Sequence, residues 1–182
     1  MSDVRTERDP AVQGLLDREA IREVIVRYCR GCDRLDVDLI DSAFHPDAVV
    51  AHGASTFTGR TVGRELVDRL RRSMSIGSHH ISNQTIEIAG DSAGCESYYI
   101  GCHVVRSGDA ARALHTSGRY LDRLERRNGE WKITKRLLVS EMTRYLDSGE
   151  ELPDPFERLN RPDRSDPSYA FLAPSAARSG AA

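Results

Sequence analysis

Residues able to do chemistry first gather in one short stretch of this 182-residue chain, "RYCRGCDRLD" at positions 27–36. It holds a phenol (Tyr28), two thiols in a C-x-x-C (Cys29 and Cys32) and a carboxylate (Asp33). A zinc site would pair the two thiols with a second tight knuckle or nearby histidines. The remaining cysteines, Cys95 and Cys102, are seven residues apart and far downstream. A redox C-x-x-C opens a helix, whereas this one falls inside a helical pattern. The four cysteines therefore read as small buried hydrophobes, and no metal site is expected. Further along, His79 and His80 are adjacent, as are Cys102 and His103. In strands, each pair sends one side chain to each face. His45, His52 and His115 lack partners at metal spacing and read as structural or surface residues.

The elements that must position these groups follow from periodicity. From Gln13 to about Leu35, Ile21, Val24, Ile25, Tyr28, Cys29 and Cys32 keep the i, i+3, i+4 rule of a helix. Glu23, Arg27, Arg30 and Arg34 fall on the opposite arc, at ~100° per residue. Asp33 continues the row Ile25–Cys29 at i+4, so it flanks the apolar face. It is either a helix-terminal residue paired with a neighbouring arginine or an inward carboxylate available for chemistry. Tyr28 is either core with a satisfied hydroxyl or a donor aimed inward.

"DVDLIDSAFHPD" predicts a short second helix ending at Phe44, with Pro46 as its stop. "AVVAHG" predicts a strand, "STFTG" a strand or turn, and "GRELVDRLRRSM" a third helix. Long strand-like runs then follow, joined by Gly90-Asp91, by Gly108 and by Asn128-Gly129, the last a strong hairpin signal. In the final run, strict alternation sets Arg136 with Lys132 and Thr134, opposite Trp131 and Ile133. An inward Arg136 requires either an outward Trp131 or a β-bulge between them.

Helices early and antiparallel strands late indicate an α+β fold, a curved sheet wrapped on its N-terminal helices. Residues 1–146 form the expected domain. Residues 147–182 lose periodicity and hold five of the seven prolines, which predicts an extended arm or disorder. The segment "PSYAFLAP" there could close a pocket or reach a neighbouring subunit.

Composition narrows the classes. A net charge of −2, with 30% charged residues, supplies no basic stripe for nucleic acid. No apolar run approaches the ~20 residues of a membrane span. The charged start "MSDVRTERDP" is unlike a signal peptide, so a cytoplasmic location is expected.

Four stretches, "REAIREVIVRYCRGCDRLD", "FHPDAVV", "SHHISN" and "YLDRLERRNGEWKITKR", together resemble the SnoaL-like members of the nuclear transport factor 2 superfamily, over roughly residues 12 to 146. The resemblance implies a cone-shaped α+β barrel. It points towards the cofactor-free lyases of that superfamily, the bile acid 7α-dehydratases, lindane dehydrochlorinases and scytalone dehydratases. Their helix-1 aspartate falls on Asp33, and their histidine opening the strand after helix 3 falls on His79. The tyrosine seen in the bile acid enzymes falls on Tyr28, where the lindane enzymes carry a lysine. Their last-strand arginine falls on Arg136. In place of an acidic residue on the middle strand this chain has Cys102 or His103, the expected substrate-binding positions, with His103 the better acid or base.

An Asp–His pair in a dry cavity suits elimination. The carboxylate fixes one imidazole nitrogen, and the other takes a proton from carbon. A tyrosine hydroxyl about 7.5 Å up the helix axis from Asp33 would polarise a carbonyl or protonate a departing oxygen. An arginine would stabilise developing negative charge. The resemblance thus implies a dehydratase or isomerase without cofactor or metal, acting on a hydrophobic steroid-like, bile-acid-like or polyketide molecule, and a homo-oligomer, a trimer by preference. Two other readings stand beside it. One is a non-catalytic β subunit of an aromatic-ring-hydroxylating dioxygenase, and the other is a small-molecule-binding module.

Overall fold

The computed structural model describes residues 9–107, 110–146 and 161–172. Helix α1 (Pro10–Asp33) starts where Asp9 accepts a hydrogen bond from the Ala11 N–H at 2.8 Å and Pro10 supplies its preset φ. It buries Ile21, Val24, Ile25, Tyr28, Cys29 and Cys32, the stripe its periodicity predicts. It ends in a turn where Leu35 takes φ 49° and the Asp36 N–H reaches back to the Gly31 carbonyl at 2.9 Å. That closure leaves Asp33 as the last helical residue.

Helix α2 (Val37–Asp41) is capped by Asp36, which accepts from the Leu39 N–H at 3.2 Å. It is shorter than expected, because Phe44 and Pro46 already belong to strand β1 (Phe44–His52). Strand β2 (Ser55–Thr58) and helix α3 (Val62–Ser73) follow. Four long strands complete the domain: β3 (Met74–Ala89), β4 (Ser92–Ser107), β5 (Ala110–Arg127) and β6 (Glu130–Leu146).

The six strands form one sheet in the order β2-β1-β6-β5-β4-β3. It is mixed rather than wholly antiparallel, since β1 runs parallel to β6. The Asn128-Gly129 turn has φ 53° and 81°, as its sequence predicts. Register shifts on β3, β5 and β6 bend the ladder, as bulges do. The core lies between α1 and the concave sheet face, with Phe44, Tyr99, Tyr120, Leu124, Trp131 and Ile133 buried against the helix. Near the start of α1, Asp17 accepts from the Trp131 indole at 3.0 Å and from Arg126 at 2.7 Å, clamping the helix to the β5–β6 hairpin.

The tail departs from its expectation where it is described. Residues 161–172 fold against the C-terminal end of α1, and Pro167–Leu172 form helix α4. Arg34 pairs with Asp166 at 3.2 Å, Arg164 donates to Asp36 at 3.1 Å, and the Tyr169 hydroxyl donates to Asp36 at 2.8 Å. Proline alone indicated an irregular arm. These contacts come from charges that no local pattern pairs. Residues 147–160 and 173–182 of the tail, and the charged start at 1–8, lie outside the described residues. No described helix is long and apolar enough to cross a membrane.

Candidate active site

Strand β3 leaves α3 and brings His79 against the end of α1. His79 Nδ1 lies 2.6 Å from Asp33 Oδ1, and the His79 backbone N–H donates to Asp33 Oδ2 at 3.1 Å. Both carboxylate oxygens are thus held by one residue, which fixes the imidazole in place. With the Nδ1 proton directed at Asp33, Nε2 carries the ring's lone pair. The pair is not sealed, as the His79 and Asp33 side chains remain 13% and 15% exposed. It borders a pocket of about 390 Å³, also lined by Val26, Cys29, Arg30, Arg34, Ile81 and Leu172. Leu172 is the last residue of α4, so the docked tail supplies one wall. His80, the adjacent rival, points outward and is exposed, with its ring nitrogen 3.3 Å from Ser78 Oγ.

His103 on β4 joins this pair. Its ring meets that of His79 edge to face at 5.2 Å between centroids. Burial first, then the neighbouring His79, push His103 down to about 4 against the opposing pull of Asp33. Cys102 does not join them. Alternation along β4 turns it to the outer face, where it is exposed, away from the Asp33–His79 pair.

Arg136 and Tyr28 lie deeper. Arg136 is 0% exposed and grips Asp122 through two contacts, Nε to Oδ1 and Nη2 to Oδ2, each 2.7 Å. The guanidinium stacks between the rings of Tyr28 (4.2 Å) and Tyr120 (4.3 Å). Burial works against its charge, but Asp122 outweighs burial and holds Arg136 more firmly protonated than usual. Its Nη1 is buried without a hydrogen-bond partner.

A bulge lets Arg136 face inward together with Trp131 and Ile133. Ile133 pairs with Leu124 while Lys135 pairs with Arg123, so Thr134 is the extra residue that shifts the alternation. Tyr28 is 2% exposed, packed edge-on to Phe44 and Tyr120. Burial keeps its phenol protonated well above the usual range, so its hydroxyl stays available as a donor. Cys29 and Cys32 are buried free thiols, and burial pushes Cys32 up to about 12. Among the described residues no group of three His, Cys, Asp or Glu is arranged to hold a metal ion.

Two residues of this interior escaped the reading by sequence. Asp122 alternates with Tyr120 and Leu124 on β5, and an acid in that inward row was the available signal. His52, which its spacing marks as structural or surface, closes β1 facing the same interior. Burial, then the charges of Arg69, Arg136 and His79, push it down to about 4. The β1–β6 pairing that carries it there leaves no local mark. His45 is structural, its Nε2 3.0 Å from the Glu125 carbonyl oxygen.

The cone, with its Asp–His pair at the end of the first helix, agrees with the comparison to known families. A family model for the SnoaL-like domain matches residues 13–137. The chain belongs to the SnoaL-like family. No curated protein sequence matches it. Among solved structures, a protein of Novosphingobium aromaticivorans provisionally named an aromatic ring hydroxylase is 28% identical, with TM-score 0.65, covering 72% of this chain and 94% of its own. A protein of the same species provisionally named a scytalone dehydratase is 21% identical, with TM-score 0.67 and coverage of 81% and 99%. The LinA-type hexachlorocyclohexane dehydrochlorinase of Novosphingobium barchaimii is 20% identical, with TM-score 0.70 and coverage of 79% and 99%. At these identities the last two share the SnoaL-like fold with this chain.

Proposed function

We propose that this SnoaL-like protein is a cofactor-independent lyase that removes water from a hydrophobic small molecule. The observation that carries the reading is the 2.6 Å Asp33–His79 contact, reinforced by the backbone bond to the same carboxylate, at the edge of a pocket whose walls mix apolar side chains with two arginines. His79 Nε2 takes a proton from the carbon beside a carbonyl, and Asp33 stabilises the imidazolium that forms. The C–H electron pair becomes the new C=C bond as the C–O bond on the adjacent carbon breaks. The departing hydroxide regains the proton from His79 and leaves as water, which returns the base to its starting state. Returning the proton to a different carbon, with no C–O cleavage, is isomerisation by the same machinery.

Tyr28 and Arg136 serve this reading from behind. The neutral phenol is a donor, and the guanidinium adds positive potential beneath developing negative charge. Names of the structural neighbours, a dehydratase and a dehydrochlorinase, favour elimination. Steroids, bile acid derivatives and polyketides are the substrate classes to try.

Mass spectrometry of the protein with hydroxysteroids, hydroxylated bile acid thioesters and β-hydroxy polyketide mimics tests the proposal. Loss of one water from a member of the panel, abolished by Asp33→Asn, is the expected result. Equal turnover by wild type and variant would sink it. A homotrimer is the proposed assembly, using the outer sheet face where Tyr98, Ile100 and Leu137 are exposed; light scattering at the monomer mass rules that out. A second reading, a non-catalytic subunit of a ring hydroxylase, draws on the name of the 28% identical neighbour. A copurifying hydroxylase α subunit would favour it.

A further inference from the structure

We infer that the substrate carries a carboxylate, and that Arg30, in the wall of the pocket beside Asp33–His79, receives it. The inference rests on that pocket being the substrate site of the proposed lyase. It narrows the substrate to an apolar body with one acidic end.

Arg30 is a cation held by neutral groups. Its Nη1 donates to Ser168 Oγ at 3.1 Å, and its guanidinium carbon stands 4.6 Å from the centre of the Tyr169 ring. Burial and the bond to Asp36 keep the Tyr169 phenol protonated, so neither contact offsets the charge. The charged groups nearby are spent on one another: Arg34 on Asp166 at 3.2 Å, Asp33 on His79 at 2.6 Å, Arg164 on Asp36 at 3.1 Å. Among the described residues Arg30 forms an ion pair with none. A contact to a hydroxyl and a ring would latch the tail without a full positive charge, and here that charge is left over.

The free part of the guanidinium has a definite shape. Ser168 and Tyr169 grip it from the docked tail, and the edge formed by Nε and Nη2 donates to no described residue. Arg136 shows what that edge accepts in this protein, since its Nε and Nη2 each meet an Asp122 oxygen at 2.7 Å. A carboxylate fits such an edge at two points, and a fork already held in place loses little freedom on binding. One unpaired charge matches one carboxylate, whereas a phosphate monoester brings nearly two.

The rest of the pocket supplies the apolar half. Val26 stands one turn before Arg30 on α1, just as Cys29 stands one turn before Asp33, so two parallel rows run from apolar to charged. Val26 is 55% exposed and Leu172 68% exposed, and both line this pocket. Open apolar side chains beside a cation suit a ligand with both characters. At about 390 Å³ the pocket is near the small end for such sites, which favours a free acid over a large thioester conjugate.

The test compares two probes of one shape, 2-naphthoate and the neutral 2-naphthamide. Each is titrated calorimetrically at about pH 7.5, where the acid is ionised, into wild type, Arg30→Gln and Arg34→Gln, all checked for folding by thermal unfolding. The readout is the ratio of the two Kd values within each protein, which a loosened tail does not move. Wild type is expected to prefer 2-naphthoate about tenfold, and the preference should shrink as sodium chloride is added. Arg30→Gln is expected to erase it, and Arg34→Gln, whose charge is already paired, to keep it. If Arg30→Gln does not fold, Arg30→Lys is read in its place, where loss of the two-point edge still lowers the ratio. A wild type with no preference or no binding of either probe, or an Arg30 variant that keeps the full preference, overturns the inference. Failure of the lyase reading shows separately, as full turnover in Asp33→Asn, and leaves these binding ratios as they are.

Discussion

Two carboxylate pairs in this cone have nearly the same contact length and opposite surroundings. Asp122 and Arg136 meet at 2.7 Å with both side chains at 0% exposure, while Asp33 and His79 meet at 2.6 Å with both still partly open. In the deep pair both carboxylate oxygens are spent on a cation that cannot lose its proton, between aromatic rings that exclude water. In the outer pair the partner is an imidazole with a second nitrogen to offer and a pocket beside it. One arrangement can hold charge and the other can move a proton. The difference lies in the partner and the access, since the acid is the same.

The comparison breaks most visibly at the deep pair. Asp122→Ala strands a fully buried guanidinium, and a loss of about 3–5 kcal/mol is expected, read as a lowered urea midpoint or failure to fold. Replacing both members, as in Asp122→Leu with Arg136→Met, should recover much of that loss; a double variant no better than the single would mean the cation is needed for something other than its partner. At the outer pair the order reverses. Asp33→Asn should leave the urea midpoint close to wild type while turnover of any substrate found falls about 10²- to 10⁴-fold. A collapse in stability without that selectivity would place Asp33 with Asp122 as a structural residue.

Acid sharpens the contrast next. His52 and His103 are pushed from an ordinary 6.5 to about 4. Between those values the unfolded chain binds protons that the folded chain refuses. Their contribution is therefore fully present above about pH 6.5 and fades as pH falls towards 4, by about 1.4 kcal/mol per pH unit for each histidine. Thermal midpoints across that window should fall with acid, and His103→Phe should flatten the slope. A slope unaffected by the variant would mean His103 does not refuse the proton.

The smallest effect belongs to the tail. Tyr169→Phe removes one hydrogen bond to Asp36, about 1 kcal/mol. It should quicken proteolysis between residues 161 and 172 without moving the main thermal transition. Protection equal to wild type would show that the Arg34–Asp166 and Arg164–Asp36 contacts suffice.

Much of this molecule was legible in one dimension, for a physical reason. The buried stripe of α1, the helix at 62–73, the long strands and the Asn128-Gly129 turn each arise from interactions among residues close in sequence, and periodicity reports those directly. The position of Asp33 beside that stripe belongs to the same kind of information, as does the opposite facing of Cys102 and His103. Pairing between distant residues leaves no such trace. The contact of Asp33 with His79 spans 46 residues, and its place in the chain was suggested by family resemblance rather than by spacing. The parallel seating of β1 on β6, the extra residue at Thr134 that turns Arg136 inward, and the capture of Arg136 by Asp122 exist only once the sheet is assembled. The tail's docking on α1 is of the same kind, since charges 128 residues apart, at Arg164 and Asp36, meet only in the folded protein. Sequence by itself determined the long helices and strands and the inward lean of Asp33, but not the strand start at Phe44, helix α4, or the inward facing of Asp122, His52 and Arg136. Tertiary structure alone decided which of those polar residues meet, because burial and partner are properties of the packed whole.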